Sequence, residues 1–423
     1  MALIVCLSAK NWYSFAPLLA NIEGTDLLQK YQVFLLENRS NSVIEKILSQ
    51  FETLLFAYSF FTPELPHIAA EIKSLKESFP IQRIIFLAGG SHASGNPKQT
   101  LDIGFDIVVK GEGESIFPLL LDRLWNGEEY FDLEGICVVR NEQLSITEPS
   151  QFIDLDAYLT CSKQFELYPP IEITRGCPFG CRYCQVSYLF GRLMRHRSID
   201  CILGIVKTYL ETFKGPRITD IRFISPNSFA YGSPDGRTPN PQKTSQLLQT
   251  LAHACPDTRI FFATFPSEGR PEFITPSMLD QITPYIANKS ISFGAQSGSD
   301  RMLKAIGRQH TVQDIINAAL AIHDAHLIPM VDFLIGLPHE SPEDQYATLE
   351  VIKRLIRSTA KIRIHYFMPL SGTPFEHENS VPITPPVFSE LGRLAKAGHL
   401  SGNLHTQIQN SIQIQRFFEV VDK

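Results

Sequence analysis

At 423 residues the chain has room for two or three domains, each able to bury a full core. Hydrophobic residues make up 44% and charged residues 19%, which excludes a largely disordered chain. A net charge of -6 excludes a global basic field that would recruit nucleic acid. The apolar start MALIVCLSAKNW has no basic region ahead of it, and no stretch approaches the ~18 apolar residues of a membrane span, so a strand is expected there. Of the eight cysteines, Cys6, Cys137, Cys161, Cys201 and Cys255 are dispersed and read as buried free thiols, which makes the cytoplasm the expected compartment.

Residues 1–140 alternate short apolar runs with helical segments. The runs are Ala2 to Leu7, Tyr31 to Leu36, Thr53 to Tyr58, Arg83 to Leu87 and Phe105 to Val109. This pattern predicts a doubly wound parallel sheet, whose ligands gather at the carboxyl ends of the strands. The loops there cover residues 8–14, 59–64, 89–94 and 111–114. Residues 141–170, with Pro149, Pro169 and Pro170, read as a linker.

A second alternation fills 171–370, with strands expected at Ile171 to Thr174, Ile218 to Ser225, Arg259 to Phe265, Ser290 to Ala295, Met330 to Ile335 and Lys361 to Met368. Helix starts are signalled by Thr275-Pro276, Ser341-Pro342 and the capping box Thr311-x-x-Asp314. The helix after Ser341 is expected to turn Tyr346, Leu349, Ile352 and Leu355 to the core. Six strand–helix units predict a partial (βα)6 barrel of TIM type, with its active face at the loops after the strands. The tail, 371–423, reads as a helical extension with Phe388, Leu391 and Leu394 on one face.

After the first barrel strand stands Cys177-Pro178-Phe179-Gly180-Cys181-Arg182-Tyr183-Cys184. Three thiolates at this spacing can hold one inorganic centre, and a 4Fe-4S cluster with only three local cysteines keeps one iron open. The alternative is a structural zinc knot completed by His196. The CxxxCxxC motif, with an aromatic residue before its last cysteine, resembles the signature of the radical S-adenosylmethionine (radical SAM) enzymes. The resemblance implies a partial barrel, and a cluster on Cys177, Cys181 and Cys184 that cleaves S-adenosylmethionine reductively to a 5'-deoxyadenosyl radical.

The same resemblance implies nucleoside contacts. Tyr183 would offer its backbone to the adenine. Ser225 and Asn227 stand where many relatives carry Gly-Gly-Glu for the amino group; their neutral oxygens can still accept from an ammonium, or they simply build a turn. Gln296 and Arg308 lie in a stretch that resembles oxygen-independent coproporphyrinogen oxidases and methylthiotransferases, with the glutamine beside the sulfonium and the arginine on the methionine carboxylate. Asp332, flanked by Val331 and Phe333, would face the ribose hydroxyls or pair internally with a barrel-bottom cation.

In the first domain, Phe86-Leu87-Ala88-Gly89-Gly90-Ser91-His92 and Val108-Val109-Lys110-Gly111-Glu112-Gly113 resemble the cobalamin-binding domain that precedes many radical SAM domains. Gly89, Gly90, Gly111 and Gly113 would then allow close approach of the corrin; otherwise they are ordinary strand-end turns. The Asp-x-His-x-x-Gly motif that supplies a histidine to cobalt is absent, and His92 reads as a loop histidine. The expected function is that of a cobalamin-dependent radical SAM methyltransferase using a 4Fe-4S cluster, S-adenosylmethionine and cobalamin. An electron donor such as flavodoxin or ferredoxin would serve it. The alternatives are a cobalamin-independent radical SAM enzyme whose first domain docks a substrate or partner, and a non-catalytic iron–sulfur protein. With one cysteine before Cys137 and a helical tail, the chain departs from the methylthiotransferases, and nucleic acid is not an expected partner.

Overall fold

The apolar runs of the first 110 residues become five parallel strands. The computed structural model describes residues 1–213 and 220–421. β1 (Ala2–Cys6), β2 (Gln32–Leu36), β3 (Leu54–Ser59), β4 (Ile84–Gly89) and β5 (Ile107–Val109) lie in the order β2-β1-β3-β4-β5. Every residue of β1 and β3 is buried, as strands covered on both faces by helices must be. Leu3, Val5, Leu55 and Leu87 meet Phe15, Phe117 and Leu120 from the covering helices in one core. The strand order reverses direction between β1 and β3, which places a crevice at their carboxyl ends. Asn11 bridges the two loops there, its amide donating to Cys6 O and Ser59 O at 2.9 Å each.

Two antiparallel strands, β6 (Ile136–Arg140) and β7 (Gln143–Ile146), extend this sheet beyond β5. Residues 143–146, expected within the linker, therefore belong to the sheet. Asn141 and Glu142 both have positive φ (49° and 62°), which gives a two-residue hairpin turn of the handedness that strand twist favours. An exposed edge strand needs no apolar run, and its polarity hid it.

The chain divides into two compact units. The first is Met1–Pro169 with Leu370–Thr373 and the chain from Arg416; the second is Pro170–Pro369 with Pro374–Gln415. Leu370–Thr373, expected at the join of barrel and tail, is thus held in the first unit, where Ser371 Oγ donates to His92 O at 3.1 Å.

In the second unit, β8 (Ile171–Glu172) and β9 (Thr174–Arg175) form the first barrel strand, and β9 pairs with β10 (Arg195–His196). β11 (Asp220–Ile224) and β12 (Arg259–Phe261) follow β8 in one parallel sheet. Ile218 and Thr219, expected in the second strand, lie outside the described residues. β13 (Ser290–Gln296), β14 (Ile328–Ile335) and β15 (Lys361–Tyr366) form a second parallel sheet. Backbone bonds from Ser292 N to Ala263 O (2.8 Å) and Gly269 N to Ser292 O (2.9 Å) join the two.

Helices Ile199–Thr212, Pro241–Ala254, Pro276–Ile282, Val312–Asp324 and Pro342–Arg357 alternate with the strands. Thr275 caps Pro276–Ile282, while Thr311 with Asp314 and Ser341 with Asp344 close capping boxes, as the sequence signals. One face differs from expectation: Leu349, Ile352 and Leu355 are buried but Tyr346 is 43% exposed. Counting back four from Leu349 reaches Gln345, which takes the inward place and is bound by Glu340 and Thr384. In the tail, helix Pro385–Lys396 buries Val387, Leu391 and Leu394, with Phe388 half-buried. The tail also gives β16 (Leu400–Ser401), parallel to β15. Beyond it, from helix Leu404–Val421, Gln407 Oε1 accepts from Tyr366 N at 2.7 Å and its Nε2 donates to Ile364 O at 3.4 Å. No helix among the described residues is long and apolar enough to cross a membrane.

Candidate functional site

The three clustered cysteines lie on the loop leaving β9, at the carboxyl end of the barrel strands. Gly176 starts the loop at φ +84°, and a Cβ there would stand 2.2 Å from the Leu193 carbonyl oxygen, so only glycine fits. Cys177 N donates to Gly191 O and Cys184 N to Cys181 O, each at 3.0 Å, and Arg182 N donates to Ile306 O at 2.9 Å. The loop is therefore anchored by its own backbone. All three thiols are free; Cys181 is buried and the others are half-buried. Burial, reinforced by the neighbouring Cys181, pushes the Cys184 thiol up to about 12, and burial also raises Cys177. Thiols so placed need a positive partner to ionise.

That positive charge comes from two guanidiniums. Arg308 Nη1 and Arg270 Nη1 each donate to Cys181 Sγ at 3.8 Å. Both side chains are otherwise held in place: Arg308 Nη2 donates to Gly294 O at 2.6 Å, and Arg270 Nε donates to Glu272 Oε1 at 2.6 Å. Burial alone would raise the Glu272 carboxyl, but the imidazole of His310, its Nδ1 3.4 Å from Oε2, and the charge of Arg270 hold it down to about 2. The donor set is soft sulfur ringed by cations, which suits an anionic thiolate cluster. Among the described residues no group of three or more His, Cys, Asp or Glu side chains closes on a single metal ion.

Gln296 ends β13 in a left-handed conformation (φ 71°), next to a register shift between Gly294 and Gln296. A side chain is costly in that region and persists only where its surroundings impose it. A Cβ at Gly294 would lie 2.2 Å from Gln296 Nε2 and 3.6 Å from Arg308 Nη2, so Gly294 makes room for both groups. Cys181, Gln296 and Arg308 are thereby brought together. Tyr183 packs against Met302, Ile306, Leu337, Phe367 and Phe375.

Ser225 and Asn227 are hydrogen-bonded to the scaffold. Ser225 Oγ shares a hydrogen bond with Thr174 Oγ1 and accepts from Asn227 N, while Asn227 Oδ1 accepts from Arg270 N at 3.1 Å. Asn227 Nδ2 is buried with no partner among the described residues. Asp332 is gripped at both oxygens by Arg363, with His365 Nε2 at 3.4 Å; Arg363 also reaches Glu268 at 2.7 Å. Asp332 thus pairs internally with a cation, but with Arg363 beside it in β15 and not with one at the barrel bottom. Burial and the nearby Asp332 raise Glu268 to about 7, whereas the bonds from His365 and Arg363 keep Asp332 low against its burial.

The four glycines are in the first unit. Gly90 (φ +86°) would place a Cβ 2.6 Å from Ser59 Oγ, and Gly113 would place one 3.0 Å from Leu18, so both are filled by the chain's own packing. Gly89 and Gly111 have nothing nearer than 3.7 and 3.6 Å. His92 is fully buried, its Nδ1 3.2 Å from Thr62 Oγ1 and its ring stacked on Phe60 and Phe418. Burial pushes its pKa down to about 3.

Sequence reasoning missed Arg270, Glu272 and Glu268. Their signal was a run of charges, Glu268-Gly269-Arg270-Pro271-Glu272, just past the end of a barrel strand.

A doubly wound sheet followed by a strand–helix barrel, with three thiols and two guanidiniums at the barrel's strand ends, defines a class: an α/β protein with a donor set suited to a thiolate-ligated cluster. Residues 171–352 match the radical SAM superfamily model. It is 24% identical over 363 residues to an uncharacterized methyltransferase of Pyrococcus horikoshii, covering 80% of this chain and 72% of that protein. It is 30% identical over 214 residues to the tRNA-2-methylthio-N(6)-dimethylallyladenosine synthase of Petrotoga mobilis, covering 49% of this chain but only 46% of that relative. Its fold is shared with the radical SAM methyltransferase TsrM of Kitasatospora setae, solved with cobalamin and a [4Fe-4S] cluster bound, at a TM-score of 0.67 and 14% identity over 89% of this chain and 73% of that one.

Proposed function

We propose that this radical SAM enzyme is a cobalamin-dependent methyltransferase. The observation that carries the radical SAM half is the Cys177–Cys184 loop, with two arginines on the Cys181 sulfur. When bound, a 4Fe-4S cluster on Cys177, Cys181 and Cys184 supplies the electron that cleaves S-adenosylmethionine, and cobalamin serves as the methyl carrier. Arg308 presents a guanidinium fork suited to the methionine carboxylate, with Gln296 beside it. Tyr183 places its backbone for the adenine. Glu268 and Asp332, on one cation, supply acceptors for ribose hydroxyls.

The cobalamin half is supported by the strand order of the first unit, with its crevice between β1 and β3, and by the fold shared with TsrM. Gly89 and Gly111 would line the corrin, while Gly90 and Gly113 hold the loops to the sheet. His92, committed to Thr62 and stacked on Phe60, gives cobalt no ligand. A second reading, in which the first unit docks a substrate or partner without a corrin, is favoured by the filled space at Gly90 and Gly113.

Anaerobic reconstitution with iron, sulfide and hydroxocobalamin separates the two. The proposal expects an iron–sulfur spectrum, retained cobalamin after gel filtration, and both S-adenosylhomocysteine and 5'-deoxyadenosine as products with a low-potential donor. An intact cluster that retains no cobalamin and yields 5'-deoxyadenosine alone selects the second reading.

A further inference from the structure

The loop that follows β12 carries Arg270 into a buried place beside the cysteines. Every part of its approach is built. Gly269 N donates to Ser292 O, and Gly269 O accepts from Gly294 N, so the backbone is stitched to β13. A Cβ at Gly269 would stand 2.6 Å from the Phe229 ring, so this tight passage requires glycine. Asn227 Oδ1 then accepts from Arg270 N, and Glu272 accepts from Arg270 Nε. The guanidinium lies over the face of Phe179, 3.5 Å from its centroid, and ends with Nη1 at 3.8 Å from Cys181 Sγ. Arg270 is 3% exposed, and its Nη2 has no partner among the described residues.

A charge fixed this firmly beside a ligand sulfur has an electrical consequence. Reduction puts one more electron on a cluster whose density extends onto its thiolate sulfurs. A hydrogen bond to sulfur and a fixed positive charge both stabilise the reduced form, and cluster potentials respond to these two factors. Arg308 also points at Cys181, but the proposed function gives it a carboxylate to bind. Arg270 has its Nε on Glu272, its face on Phe179 and its Nη1 on the sulfur.

We propose that Arg270 is a positioning residue for the cluster: its fixed positive charge, held on the Cys181 sulfur by a hydrogen bond, raises the reduction potential of a centre held by Cys177, Cys181 and Cys184. The inference rests on reading those cysteines as a cluster site. One electron enters from an external one-electron reductant, the cluster is reduced and the reductant oxidised, and Arg270 keeps all its protons.

The test is a potentiometric titration of the full-length, anaerobically reconstituted protein without S-adenosylmethionine, using dithionite with mediators and following the signal of the reduced cluster by electron paramagnetic resonance. Arg270→Gln, which keeps a donor but loses the charge, is expected to bind the electron about tenfold more weakly, a midpoint about 59 mV more negative. Arg270→Lys, which keeps the charge but loses the fork, is expected between that and the parent. Equal midpoints in Arg270→Gln and parent overturn the proposal. If Arg270→Gln does not retain iron, Arg270→Lys decides: a more negative midpoint supports the proposal and an unchanged one overturns it. Loss of iron from both variants also overturns it, because Arg270 would then retain the cluster and not tune it. Failure of the parent itself to take up an iron–sulfur spectrum sinks the cluster reading, which is a separate outcome.

Discussion

The two units solve the same problem, a row of parallel strand ends that must form a site, with opposite materials. In the first unit the strand ends carry mostly backbone and neutral groups, namely Asn11 tied to two carbonyls, glycines with positive φ and a buried histidine held neutral, with Arg39 on Glu71 as an ion pair at the Leu7 and Leu36 carbonyls. In the second unit they are finished with charge: Arg270 with Glu272, Arg308 on a carbonyl and a sulfur, and Arg363 across Asp332 and Glu268. Buried charges are costly unless fully partnered, so a fold that installs several around one mouth is shaped for a charged ligand. The first unit's edge, with fewer buried charges, is the one proposed to take a large ligand held by shape and backbone contact.

This contrast can be broken experimentally. The largest effect is expected from Arg308→Gln, which removes the charge proposed to bind the methionine carboxylate. S-adenosylmethionine affinity, measured by isothermal titration on the reconstituted protein, should fall by about 10- to 100-fold. Cobalamin retention should not change, and a parallel loss of both would deny the units their separate tasks.

Next come two neighbouring glycines. Gly90→Ala drives a Cβ into Ser59 and Phe60 at φ +86° and should destabilise the protein by about 1–3 kcal/mol in denaturant melts. Gly89→Ala, in extended backbone with open space, should melt like the parent yet lose cobalamin; full retention of cobalamin would remove Gly89 from the site.

The smallest effect concerns Glu340, 4% exposed, whose Oε2 accepts from Gly336 N at 2.7 Å. Burial raises its pKa from about 4.5 to about 7. A carboxyl whose folded pKa is raised contributes stability that is present below about pH 4.5 and lost as pH rises through 7. Glu340→Gln should therefore match the parent in thermal melts at pH 4.5 and exceed it at pH 8; equal melting at both would show that Glu340 ionises freely.

Much of this was legible in the sequence because buried parallel strands must be apolar throughout. β1, β3 and β4 could be read directly, and so could the caps at Thr275, Thr311 and Ser341, where one side-chain oxygen meets a known amide. The cysteine loop was legible because its three ligands are local. What escaped depends on contacts between distant segments. Arg270 meets Cys181 across 89 positions and Arg363 meets Glu268 across 95, so no local spacing announces either pair. Tyr346 shows the other limit: adjacent positions on a helix share similar periodicity, and the polar Gln345 won the inward place by its hydrogen bonds.

The carboxamide of Gln407 has a consequence of its own. An outermost strand offers bare amide and carbonyl groups on which a foreign strand can polymerise. β16 covers only the first part of β15, pairing at Ile362 and Arg363. Past that point Gln407 meets Ile364 O and Tyr366 N as a peptide unit would, one side chain imitating the missing strand. The tail therefore continues the sheet's hydrogen bonding from a helix, which leaves Ile364 O and Tyr366 N already occupied where a further strand would pair.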